Sequence, residues 1–109
     1  MILHSVYCNL RSGVQSNAVT AVFQELDTLC KGIDWVLSFE HGPNRDFEAK
    51  SLEYAVGFVI RFTDRHALEK YAEHPIHKEL GAQLCTLCVG GADGITVFDL
   101  EVEAAQANA

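Results

Sequence analysis

The stretch from Tyr54 to His77 leaves this chain little freedom in how it folds. Tyr54-Ala55-Val56-Gly57-Phe58-Val59-Ile60-Arg61-Phe62 is rich in aromatic and β-branched side chains, which suit a pleated, well-packed surface, so it reads as a central strand. Asp64 follows and carries the oxygen that caps a helix, in which Leu68, Tyr71 and Ala72 recur at helical spacing. His74-Pro75 then opens a second helix. Proline lacks an amide proton and is tolerated at the first helical position, which leaves His74 as the cap. Strand, helix and helix are joined almost without slack.

The flanking sequence supplies the remaining elements. Residues 2–10 alternate with the period of a strand, placing His4, Val6, Cys8 and Leu10 on one side and Leu3, Ser5, Tyr7 and Asn9 on the other. A turn over residues 11–15 leads to a helix capped by Ser16 or Asn17, with Val19, Val22, Phe23, Leu26, Leu29 and Cys30 on one face. Gly32 is expected to stop it in the left-handed conformation. Residues 33–41 predict a second strand, ended by the breaker pair Gly42-Pro43. The polar residues 44–51 form a loop whose Phe47 is expected either to fold back over a pocket or to pack against the loop's own base.

The helix opened by Pro75 is expected to run to about Leu87 with Ile76, Leu80, Leu84 and Leu87 as its stripe. Gly81 within it costs about 1 kcal/mol against alanine, which implies a close approach to another backbone or a ligand. Gly90-Gly91-Ala92-Asp93-Gly94 turns the chain into a last strand over residues 95–102. Strand, helix, strand, strand, helix in two pieces, strand is an α+β order. It is that of the ferredoxin-like split βαβ unit: a four-stranded antiparallel sheet with helices on one face. The other face, with Leu3, Tyr7 and Val59, would expose an apolar patch, which two copies closing into a dimeric α/β barrel would bury.

Size and charge narrow the partners. A chain of 109 residues that is 49% hydrophobic and 21% charged fits one domain, taken here as residues 1–103, with a loose tail over 104–109. A net charge of -7 without a Lys/Arg cluster argues against nucleic acid. No apolar run approaches the ~20 residues of a membrane-spanning helix and the start has no basic leader, so no membrane and a cytoplasmic location are expected. The four cysteines occupy apolar faces and read as buried free thiols. Cys85-Thr86-Leu87-Cys88 has the spacing of half a zinc site, but no second pair completes it, so no metal is expected.

The block Tyr54 to Phe62, the helix ending in Tyr71, His74-Pro75-Ile76-His77 and the closing Ile95-Thr96-Val97-Phe98-Asp99-Leu100-Glu101 strand resemble the stress-responsive dimeric α/β-barrel family, as does His4 in the first strand. The resemblance implies a ferredoxin-like homodimer without a cofactor. One member of that family is a plant polyketide cyclase that promotes an aldol condensation. By that resemblance the catalytic histidine falls on His77, its tyrosine partner on Tyr71, a pocket histidine on His4, and pocket-lining residues on Phe23 and Phe58. The loop at residues 43–51, the Gly90-Gly91 turn and the tail depart from the cyclase, so its substrate does not carry over.

Chemically, a histidine with a pKa of about 6.5 suits acid–base work near neutrality. Closing a carbon–carbon bond next to a carbonyl needs one group to remove a proton and another to donate to the forming oxyanion. His77 and the Tyr71 hydroxyl fit those roles on a carbonyl or polyketide-like ligand. They equally fit a buried histidine–tyrosine hydrogen bond that steadies the helix junction. His4 binds a polar substrate group or is a satisfied core histidine. His41 and His66 read as surface residues, and Asp99 and Glu101 as an exposed or rim-facing strand side. Three functions therefore stand: a cofactor-free cyclase or lyase, a non-catalytic ligand-binding or stress-protective dimer, and a cofactor-independent monooxygenase of similar fold.

Overall fold

The structure, a computed structural model, describes residues 1–103. The stretch 104–109, expected to be a loose tail, lies outside them. In chain order the elements are β1 (Ile2–Cys8), α1 (Ser16–Lys31), β2 (Val36–Pro43), β3 (Val56–Phe62), α2 (Arg65–Glu73), α3 (Pro75–Thr86), a short 3-10 turn, Gly91–Gly94, and β4 (Ile95–Glu101). The sheet order is β2-β3-β1-β4 with every pair antiparallel, so β1 and β3 are central. This is the ferredoxin-like arrangement the element order predicts.

Register decides which face each side chain joins. Across β1 and β3, Ile2 lies opposite Phe62, His4 opposite Ile60, Val6 opposite Phe58 and Cys8 opposite Val56. These pairs face the helices, and with Val19, Val22, Phe23 and Leu26 of α1, Ala67 and Tyr71 of α2 and Leu80 and Leu84 of α3 they make one core. Leu3, Tyr7, Val59, Phe98 and Leu100 alternate onto the opposite face. Among the described residues no helix covers that face, and Phe98 and Leu100 are exposed.

Several local expectations are corrected. The cap of α1 is Gln15, whose side chain makes no capping bond, rather than Ser16 or Asn17, which are drawn into the helix. Gly32 ends α1 at φ -89°, outside the left-handed region, because its amide closes the last turn onto the Leu29 carbonyl and the Ile33 amide onto the Cys30 carbonyl. β2 starts three residues later than its apolar run and continues through Gly42 and Pro43. An edge strand tolerates Pro43 because its outer side has no ladder to complete. In α2 the buried partner of Tyr71 is Ala67, while Ala72 is exposed, and in α3 Ile76 is exposed. A Cβ on Gly81 would meet no heavy atom within 4 Å, so no backbone approaches it. Phe47 neither folds back nor packs against its loop: it is 93% exposed.

Candidate functional site

The junction of α2 and α3 sets the site. Asp64 accepts a hydrogen bond from the Ala67 amide at 2.9 Å and starts α2, and the His74 imidazole Nδ1 accepts from the Ile76 amide at 3.1 Å and starts α3. A single non-helical residue, His74, separates the two helices. The sharp turn brings Tyr71 from the end of α2 against His77 from the first turn of α3, with ring centroids 4.4 Å apart.

Tyr71 is anchored from below. Its ring packs on Phe62 at 5.3 Å and lies 6.1 Å from the His4 ring, so strand β1 contributes to the same cluster. His4 in turn stands 6.4 Å from Phe58, which meets Phe23 edge-on at 5.2 Å. His77, Tyr71, His4, Phe58 and Phe23 thus form one continuous run of rings between sheet and helices. The fold brings together every residue singled out for the site.

Their hydrogen bonds differ from the simple histidine–tyrosine pair. The His77 ring bonds through Nδ1 to the Ala72 carbonyl at 3.1 Å. A carbonyl only accepts, so Nδ1 carries the proton and Nε2 of the neutral ring keeps its lone pair. The Tyr71 hydroxyl is fully buried and has no protein partner among the described residues. A buried donor left unpaired costs about 1–3 kcal/mol, so this oxygen is a costly feature of the resting fold.

Protonation states follow from the surroundings. Burial holds the His77 pKa below its ordinary value; the charges of His4, His74 and Lys78 act in the same direction, and the Ala72 carbonyl opposes them without prevailing. Burial, aided by Cys30, pushes the Tyr71 phenol well above its ordinary range. At neutral pH the pair is a free imidazole beside an intact phenol, that is, an acceptor beside a donor.

One residue of the cluster escapes sequence reasoning. The His4 Nδ1 lies 2.6 Å from the Asp99 carboxylate, directly across β1 and β4. The carboxylate accepts, fixing His4 in the same tautomer as His77. Asp99, expected on an exposed or rim-facing strand side, is exposed on the edge strand β4, and the register places it on the parity of His4. Its parity is that of Ile95 and Val97, but only the register against β1 places it opposite His4.

Three grooves have volumes of about 960, 590 and 460 Å³, and none of them has His4, Tyr71 or His77 in its wall. The first opens on the uncovered sheet face beneath residues 44–54. Among the described residues no three His, Cys, Asp or Glu side chains converge as a metal site would require. The four cysteines are free, and burial pushes the Cys8 and Cys30 thiols up to about 12, which leaves them protonated and unreactive. No helix among the described residues is long and apolar enough to cross a membrane.

The fold, with the aromatic–histidine cluster at the α2–α3 junction, is that of a ferredoxin-like α+β domain. Residues 2–102 match the family described as stress responsive A/B barrel domain, and the chain belongs to that family. It is similar to a dimeric ferredoxin-like protein of unknown function from Jannaschia sp. CCS1, with 42% identity, 93% of this chain and 98% of that one covered, and a TM-score of 0.89. A hydroxynitrile lyase from Passiflora edulis shares 10% identity over 94% of each chain with a TM-score of 0.77. An antibiotic biosynthesis monooxygenase shares 13% identity over 94% of this chain and 99% of that one, with a TM-score of 0.73. The last two likenesses are of fold alone. No curated protein matches the chain significantly.

Proposed function

We propose that the chain acts as a homodimer closed through its open sheet faces, and that the His77–Tyr71–His4 cluster of each subunit performs cofactor-free acid–base chemistry on a small apolar carbonyl compound of the polyketide type. The observation that carries this reading is the Tyr71 hydroxyl, buried without a protein partner next to a histidine whose Nε2 is a free base. In the reaction Nε2 of His77 takes the proton from the carbon beside the carbonyl. The Tyr71 O–H donates to the oxyanion that forms, and the imidazolium later returns its proton to the product. His4, held by Asp99, orients a polar group of the substrate, while Phe23 and Phe58 supply apolar walls.

The dimer reading is supported by the dimeric relative from Jannaschia and by the exposed Phe98 and Leu100 on the face that no helix among the described residues covers. A specific observation favours a second reading, a non-catalytic stress-protective dimer: Tyr71 is only 1% exposed and none of the three grooves reaches it. A thermal-shift screen of carbonyl and phenolic compounds separates the two. Cofactor-free chemistry at this site requires a compound that raises the Tm of the wild type and leaves Tyr71→Phe and His77→Ala unmoved. If no such compound stabilises the wild type, or if both variants respond as it does, the catalytic reading falls and the packed dimer stands.

A further inference from the structure

Residues 44–55, between β2 and β3, hold their shape through side-chain bonds and yet present apolar groups to water. Asn44 Nδ2 donates to the Tyr54 carbonyl at 2.8 Å and to Ser51 Oγ at 2.9 Å. Asp46 Oδ1 accepts from the amides of Lys50 at 2.8 Å and Ser51 at 3.0 Å. Asp46 and Ala49 sit at φ 46° and 55°, conformations that persist only where surrounding bonds over-determine them. From this cage Phe47 projects with 93% of its surface exposed and Leu52 with 79%. A floppy loop would hide such side chains; this one cannot.

The loop is continuous with the open sheet face. Tyr54 at its end bonds through its hydroxyl to Thr96 Oγ1 of β4 at 2.7 Å, and the groove of about 960 Å³ runs between the loop and the strand residues Tyr7, Val59 and Phe98. We infer that this loop is an intersubunit arm: Phe47 and Leu52 of each copy pack against the other copy, at the rim of the interface formed by the two sheet faces. The inference rests on the dimer reading above and adds to it the residues that anchor the contact. Two-fold symmetry places both arms reciprocally, and a pre-shaped arm loses little conformational entropy on binding. A lipid surface would also shelter Phe47 and Leu52, but Glu48 and Glu53 beside them and a net charge of -7 oppose an anionic bilayer.

Sedimentation equilibrium over a wide concentration range tests this on the wild type, Phe47→Ser, Leu52→Ser and the double variant, with Phe98→Asp as a sheet-face control. Because both side chains are exposed in the single subunit, their replacement leaves its fold intact, which circular dichroism checks. Each arm substitution is expected to weaken the dimer about tenfold, and the pair about a hundredfold. A wild-type dimer that Phe98→Asp weakens and the double variant leaves unchanged would overturn the arm and keep the dimer. A wild type that stays monomeric at every concentration overturns both. Flotation of the wild type with vesicles of phosphatidylglycerol and phosphatidylcholine, lost in the double variant while its dimer is unaffected, would overturn the arm in favour of a lipid contact.

Discussion

Replacing Tyr71 by phenylalanine removes one oxygen and nothing else, and the structure fixes what that should do. The ring keeps its packing against Phe62 at 5.3 Å and His77 at 4.4 Å, so no cavity opens. What disappears is a buried hydroxyl without a protein partner, whose burial costs about 1–3 kcal/mol. The ligand-free variant should therefore be more stable than the wild type by about 1 kcal/mol, which in a domain of this size raises Tm by about 4 °C. Tyr71→Ala, which also empties the space of the ring, should instead lose about 3–5 kcal/mol. Urea denaturation followed by far-ultraviolet circular dichroism measures both, at one fixed protein concentration because a dimer's apparent stability depends on it. Should Tyr71→Phe lose 1 kcal/mol or more, the hydroxyl is already satisfied in the resting protein, and both the cost assigned to it and its availability as a donor are refuted.

The lowered His77 pKa makes stability depend on pH with a definite sign. The unfolded chain takes up a proton near pH 6.5 and the folded chain only at lower pH, so the stabilisation is complete above about 6.5 and is lost as pH falls through the interval between the two values. One proton contributes a slope of at most about 1.4 kcal/mol per pH unit, and His77→Gln should flatten the stability profile over that interval by denaturant titration at several pH values. An unchanged slope in His77→Gln would remove the argument for a neutral base. Two glycines should respond in opposite directions. A Cβ on Gly57 would sit 2.7 Å from the Val6 carbonyl oxygen and 2.8 Å from the Tyr7 ring, and Gly57→Ala should cost about 1–3 kcal/mol, since central strands cannot part. Gly81→Ala meets open space and should gain about 1 kcal/mol from helix propensity, both read from denaturation midpoints.

Much of the fold is written locally. Asp64 and His74-Pro75 mark two helix starts through side-chain chemistry that needs no distant partner, and the caps form as read. The β-branched run of β3 and the alternation of β1 give strands and their two faces. Local rules err where long-range pairing overrides them. Gly42-Pro43 breaks a strand in isolation but is held in β2 by pairing with Gly57 and Val56 of β3. The stripe of α3 includes Ile76 by spacing, yet Ile76 stays exposed while Leu80 and Leu84 are buried.

The candidate site divides in the same way. Its residue types, His77, Tyr71 and His4, and the helix break that sets the first two side by side are legible in the chain, because a one-residue joint dictates its own geometry. The Asp99 contact to His4, the missing partner of the Tyr71 hydroxyl and the exposed Phe47 and Leu52 were decided only by tertiary structure. The physical reason is the same in each case. A sequence period says which way a side chain points, whereas register and packing between elements far apart in the chain determine what, if anything, it meets there.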